Sequence, residues 1–213
     1  MNNQKTPSQS PITWPTTQRL TEYLIILEEL AENDIEVVSS RQLAQLYGNT
    51  ASQVRQDFFR LKHTGNATRG YNIAELQATI RRNLGLDEVH KVAIIGCGKL
   101  GSTLALHVPL ADYGMRLVAA FDIDPDIIGS RLSGVQVENA DKMIKICHDR
   151  QVQLAALSVP KTAAQHCADR LVMAGVRGIL NYTRVRLRVP AHIRVQNRQI
   201  ICSFMQLCSR ACT

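Results

Sequence analysis

The densest chemical signal in the chain is Gly96-Cys97-Gly98-Lys99-Leu100-Gly101, a G-x-G-x-x-G run directly after the apolar segment Val92-Ala93-Ile94-Ile95. Between a strand and a helix, this spacing suits a pyrophosphate. Gly96 permits the tight turn, Gly98 lets the backbone approach the phosphates, and Gly101 lets the helix pack on the strand. The free N–H groups and positive dipole of the first helical turn, which includes Leu100, then face the anion. Asp122 follows Gly101 by twenty-one residues, at the end of the next apolar run. At that spacing a carboxylate accepts both hydroxyls of the adenosine ribose. Its charge repels a 2′-phosphate, which favours NAD(H) over the phosphorylated form. Lys99 can place a cation beside the pyrophosphate. Cys97 sits where a helix N-terminus would stabilise a thiolate, or is simply a small residue that the loop tolerates.

Nothing after this fingerprint supplies a reaction. No Tyr-x-x-x-Lys pair, Cys/His dyad or Ser/His/Asp arrangement follows it, and the rest of the sequence is short for a large substrate domain. The six histidines, His63, His90, His107, His148, His166 and His192, show no metal-ligand spacing. No catalytic residue and no metal site is therefore expected, and the nucleotide reads as sensed, not consumed. Two rivals stand beside this reading. One is a small NAD-dependent oxidoreductase. The other is a regulator whose pocket takes another nucleotide-type ligand such as CoA, or which senses oxidation through Cys97 or the cluster Cys202, Cys208 and Cys212. Cys147 and Cys167 read as buried apolar side chains. With no C-x-x-C pair and a cytoplasmic location expected, disulfides are not.

A second chemical face lies upstream. Ser39-Ser40 opens a short helix, Arg41 to Leu46; Tyr47-Gly48-Asn49 makes a turn; and Thr50 caps a further helix from Ala51 to about Leu61. Two short helices across a Gly-containing turn match a helix-turn-helix. Val54, Phe58 and Leu61 form the buried stripe of the second helix, and the opposite face presents Ser52, Gln53, Arg55, Gln56 and Arg60. Gln suits an adenine edge and Arg a guanine edge, while Ser and Arg can hold phosphates. Lys62 to Tyr71, with Gly65 and Gly70, reads as a β-wing that adds Lys62 and Arg69.

The elements that must position these residues follow from periodicity. Leu20, Tyr23, Leu24, Leu27 and Leu30 mark a first helix capped by Thr16 or Thr17, and a helix from Ile73 to Leu84 ends at Gly85. From Lys91 the pattern alternates. Strands are expected at Val92–Ile95, Arg116–Phe121, Leu154–Val159 and Val176–Leu180, with helices at Leu100–His107, Ala140–Asp149 and Thr162–Ala174. Ile200 to Ala211 reads as a terminal amphipathic helix. The fold class is α/β: a disordered tail (1–11), a winged helix-turn-helix domain (12–85), a Rossmann-type parallel-sheet domain (86–198) and the C-terminal helix (199–213).

Composition fits this division. The 213 residues suit two domains, and no apolar run reaches the ~20 residues that span a bilayer, so no membrane partner is expected. The net charge of +7 is unevenly spread: residues 39–71 hold five Lys and Arg against one acid, and residues 151–213 nine against one. The first excess suits a groove-docking surface. The second, with Arg184, Arg186, Arg188, Arg194 and Arg198, reads as solvated surface or as further phosphate contacts.

From about Trp14 to Leu207 the sequence resembles the Rex family of redox-sensing transcriptional repressors. The matching motifs are Tyr23-Leu24 with Leu27-Glu28-Glu29-Leu30, Gln53-Val54-Arg55-Gln56-Asp57, Leu84-Gly85-Leu86, Phe121-Asp122-Ile123-Asp124-Pro125 and Ile128-Gly129. Further matches are Val159-Pro160 with Ala163-Ala164-Gln165, the run Ala174 to Tyr182, and Val185 to Pro190. The resemblance implies a homodimer with a swapped C-terminal helix. Its two winged helices read a palindromic double-stranded operator, and the NADH/NAD⁺ ratio governs release. It also implies that Ser158, Val159 and Pro160 lie near the nicotinamide. The chain departs from the family at Ile25, His107 and Gln199, where Arg, Tyr and Asp are usual. It departs again at Ala67-Thr68-Arg69 in the wing and at Phe59-Arg60-Leu61-Lys62, where the family has Ser-Tyr-Phe-Gly.

Overall fold

A computed structural model describes residues 12–63 and 70–211, and the chain divides into two units, Met1–Asp87 and Glu88–Thr213. The N-terminal unit contains α1 (Trp14–Glu32), β1 (Val37–Val38), α2 (Ser40–Tyr47), α3 (Ala51–Arg60), β2 (Tyr71–Asn72) and α4 (Ile73–Leu84). The expected tail at 1–11 and the wing residues 64–69, Arg69 included, lie outside the described residues, as does Cys212.

Local chemistry sets the helix ends. Ser39 and Gln42 form a reciprocal capping box at the start of α2, and Gly48 ends it in the left-handed region. Thr50 caps α3 by accepting from the Gln53 N–H at 3.2 Å. Helix α1 corrects the expected start: its cap is Thr13, with Pro15 fitting the first turn. Thr16 is instead buried, its hydroxyl taken by Arg19 and Arg60. Leu20, Tyr23, Leu24 and Leu27 of α1, Leu43 of α2, Val54 and Phe58 of α3 and Leu76 and Ile80 of α4 are buried together as the core of this unit. Phe58 makes edge-to-face contacts with Tyr23 at 5.6 Å and with Tyr71 at 4.9 Å. The pair β1–β2 is antiparallel, with Val38 opposite Tyr71.

The C-terminal unit runs β3 (His90–Ile95), α5 (Lys99–His107), β4 (Met115–Asp122), β5 (Arg131–Leu132), β6 (Val135–Asn139), α6 (Met143–Asp149), β7 (Leu154–Leu157), α7 (Lys161–Met173), β8 (Gly178–Asn181), β9 (Arg194–Asn197) and α8 (Ile200–Ala211). The sheet order is β5-β6-β4-β3-β7-β8-β9, parallel throughout except for the edge strand β5. Counting only the parallel strands in chain order gives 3-2-1-4-5-6, the order of doubly wound dinucleotide folds. Strand order reverses between β3 and β7, and in folds of this class ligands bind in the crevice at the carboxyl ends of the strands flanking that point. Two apolar layers close the two faces. One includes Phe121, Met143, Leu157 and Leu171; the other includes Ile94, Ala105, Ala120 and Val137.

Three strands of this unit escape the periodicity reading: β5, β6 and β9. β6 (Val-Gln-Val-Glu-Asn) has only two apolar residues, and β9 (Arg-Val-Gln-Asn) one. β9 is secured by polar means, since the buried Asn181 amide donates to Asn197 Oδ1 and to the Val185 carbonyl, both at 2.8 Å. The segment expected as Ala140–Asp149 begins with a 3₁₀ turn over 140–142. β7 ends at Leu157, not Val159, because Ser158–Pro160 turns away to start α7. Among the described residues no helix is long and apolar enough to cross a membrane.

Candidate functional site

The glycine loop lies at the switch point. Gly96 follows Ile95, which pairs with Phe121 on one side and Leu157 on the other. Its φ is +89°, and an added Cβ would come within 2.5 Å of the Ser158 carbonyl oxygen. A Cβ on Gly101 would collide with the Gly96 carbonyl oxygen. These glycines are therefore demanded by close approach within the protein. Gly98 differs: an added Cβ would meet nothing within 4 Å. It is the N-cap of α5, has no side-chain cap bond, and is exposed together with Lys99 and Leu100. The first turn of α5 thus offers uncapped N–H groups at the open mouth of the crevice, as a pyrophosphate requires.

Asp122, at the end of β4, does more than the spacing suggests. Its Oδ2 accepts the Cys97 N–H at 2.6 Å, and its Oδ1 accepts those of Ile123 and Asp124 at 2.7 and 3.0 Å. Three of about four lone-pair sites are therefore taken by backbone. The carboxylate is half-buried, and besides these three backbone donors it leaves Oδ2 open in one further direction at the end of β4. Ser158 donates its hydroxyl to the Gly96 carbonyl at 2.8 Å and so ties β7 to the loop. Val159 is half-buried beside it, and Pro160 caps α7.

Cys97 corrects the thiolate reading. Its side chain is only 3% exposed, lies in the core between the sheet and α5, and donates to the Phe121 carbonyl at 3.4 Å. Burial, reinforced by the Asp122 charge, pushes its thiol up to about 11. Only its backbone faces the loop. Burial likewise raises the thiols of Cys147, to about 12, and Cys167, whereas Cys202 and Cys208 are exposed. Among the described residues no cluster of His, Cys, Asp and Glu could hold a metal ion.

The face of α3 is also redrawn. Ser52, Arg55 and Gln56 are exposed, and Arg55 donates to Ser40 Oγ at 3.1 Å. Gln53 instead turns inward and donates to Asp57 Oδ1 at 3.1 Å. Arg60 is drawn back over α1, donating to Thr16 at 2.9 Å with Asp57 3.9 Å away. Lys62 is exposed and adopts φ +56° just past the helix end. Asp57, fully buried, anchors this arrangement. Arg19 of α1 donates to both its oxygens, Nε to Oδ2 at 2.6 Å and Nη2 to Oδ1 at 2.7 Å. That bond raises the Arg19 guanidinium further, and burial followed by the Asp57 charge raises Tyr23. The sequence holds one clue to this network: a carboxylate inside the arc of Val54, Phe58 and Leu61.

Of the positions read above as departures, Ile25 lies on α1, His107 at the end of α5 and Gln199 just before α8. On α8 itself Ile200, Ile201, Phe204, Met205 and Leu207 are all exposed.

Residues 87–185 match the family model described as "CoA binding domain", and residues 11–58 the one described as "Putative DNA-binding protein N-terminus". The chain is 37% identical over 84% of its length to a redox-sensing transcriptional repressor Rex of Caldanaerobacter subterraneus, covering 80% of that protein. It is also similar to the solved structure of RSP, a Rex-family repressor, in complex with β-NAD⁺ and operator DNA. That likeness has a TM-score of 0.87 at 33% identity and covers 95% of this chain and 93% of that one. The complex of RSP with β-NADH gives the same TM-score and identity, over 95% of each chain.

Proposed function

This chain belongs to the Rex family of redox-sensing transcriptional repressors, and on that premise we propose that it binds NAD(H) at the Gly96–Gly101 loop and operator DNA through α3. The observation that carries this reading is the uncapped, open first turn of α5 at the sheet's switch point, on the same chain as a helix-turn-helix. Gly98 and the N–H groups of Lys99 and Leu100 hold the pyrophosphate. Asp122 positions the loop through Cys97 N–H and accepts one ribose hydroxyl. Ser158–Pro160 wall the crevice on the β7 side. When bound, the nicotinamide supplies a redox state to be read, and no side chain here is assigned to transfer its hydride. The protein is a regulator and not an enzyme.

Ser52, Arg55 and Gln56 contact the duplex, with Lys62 and Arg69 on backbone phosphates. The uncovered apolar residues of α8 favour a homodimer, in which a second copy covers them and the two α3 helices meet a palindromic operator. Binding selection on random duplex, followed by gel shift with NADH or NAD⁺, tests the whole reading. An enriched palindrome released by NADH but not by NAD⁺ is the expected result; DNA binding indifferent to both would overturn the sensing part. The family match over residues 87–185 supports a second reading, in which the loop takes another ADP-containing ligand. Displacement of NADH by CoA at comparable concentration would favour it.

A further inference from the structure

We propose that Phe59 is a sequence-reading residue of α3 that packs on the C5-methyl group of a thymine in the major groove. The inference rests on the DNA-binding reading above. Phe59 is 75% exposed, more than any other large apolar side chain among the described residues of the N-terminal unit. The core does not need it, because the adjacent Phe58 already fills the aromatic position between Tyr23 and Tyr71.

Its place on the helix is specific. At about 100° per residue, Phe59 lies within ~20° of Ser52, two turns on, between the directions of Arg55 and Gln56. With Gln53 held by Asp57 and Arg60 drawn onto Thr16, the centre line of the exposed face runs from Ser52 past Arg55 and Gln56 to Phe59. The surroundings choose the occupant. Arg55 and Lys62 flank this face, and the one carboxylate of α3, Asp57, is buried and paired. An apolar point in a cationic, acid-free surface suits a polyanion that itself displays an apolar group. The thymine methyl is the group that duplex DNA shows in its major groove, and Phe is among the side chains that read it.

The test uses the full-length protein and its selected operator. Each thymine is replaced in turn by deoxyuridine, which deletes only the methyl, and affinity is measured for wild type, Phe59→Ala and Phe59→Leu. At one or more thymines, methyl removal should weaken wild type about fivefold while leaving Phe59→Ala unchanged. Phe59→Leu should keep part of the methyl dependence. A methyl dependence that persists in Phe59→Ala would overturn the proposal. So would a Phe59→Ala loss that is equal on all sequences, which would mark a sugar or backbone contact, or no loss at all. Retention of a single cooperative unfolding transition shows that the variant is folded. If wild type selects no operator, the DNA-binding reading itself fails, a result distinct from an operator without methyl dependence.

Discussion

The loop Gly96–Gly101 and the exposed face of α3 both suit a polyanion, but the loop is shaped by what its residues lack and the helix face by where its side chains are pulled. In the loop, absent Cβ atoms at Gly96 and Gly101 admit the Ser158 and Gly96 carbonyls, and the first turn of α5 keeps its backbone N–H groups uncapped. On α3, Gln53 donates to Asp57 and Arg60 to Thr16, so residue type alone leaves out the internal partners with which a duplex would compete. A site made of backbone depends on glycine spacing, which the sequence displays directly. A site made of side chains must first be checked for competing partners within its own domain.

The contrast is easiest to break at Arg19. Arg19→Met removes the bidentate partner of the buried Asp57 and leaves it Gln53, Tyr23 and the more distant Arg60, which should cost up to about 3 kcal/mol of stability in the N-terminal unit. Thermal unfolding should show an early loss of this unit, DNA binding should vanish, and NADH affinity should hold. Unimpaired DNA binding would mean that the α3 face does not depend on its inner network.

Next in size is Gly101→Ala. Its methyl cannot coexist with the Gly96 carbonyl, and overpacking of about 1–3 kcal/mol should weaken NADH by up to about a hundredfold. Titration of nicotinamide fluorescence measures it; an affinity within threefold of wild type would show that the loop tolerates a side chain after all. Two glutamines then sharpen the helix side. Gln56→Ala should lose about tenfold at one base pair and relax preference there, since a bidentate base contact is worth about 1–3 kcal/mol. Gln53→Ala should leave base preference intact. Reversal of the two would return Gln53 to the reading face.

The smallest effect belongs to Cys97. With its thiol raised to about 11 it stays protonated at pH 8, so iodoacetamide should label Cys202 and Cys208 first, and Cys97 should gain reactivity only as pH climbs toward 11. Cys97→Ser should shift NADH affinity less than about twofold. Rapid labelling of Cys97 at pH 8 would restore the thiol-sensing reading.

These differences also mark what was legible beforehand. The caps of α2 and α3, the glycine stop of α4 and the loop with its acid were readable because each is a local rule: a hydroxyl beside a helix start, a positive φ, a missing Cβ. The doubly wound sheet followed from alternating apolar runs. β6 and β9 were hidden because their pairing is carried by backbone and by Asn181, with too few apolar residues to set a period. The early start of α1 was hidden because Thr16, a natural cap by type, serves Arg19 and Arg60 instead. The second role of Asp122 was hidden because its spacing to Gly101 says nothing of the Cys97 N–H.

The seating of Ile95 beside Leu157 carries a kinetic consequence. These neighbours are sixty-two residues apart along the chain, so the crevice is closed by a contact of high contact order. As the polypeptide leaves the ribosome, β3, the loop and β4 emerge well before β7 and Ser158 can wall them. A half-made sheet therefore has no complete nucleotide site, and NADH can stabilise only the finished one, by RT ln(1 + [L]/Kd). Refolding in the presence of NADH should leave the folding rate unchanged and slow only the unfolding limb, so that ligand abundance sets how long a completed molecule lasts and not how quickly one is made.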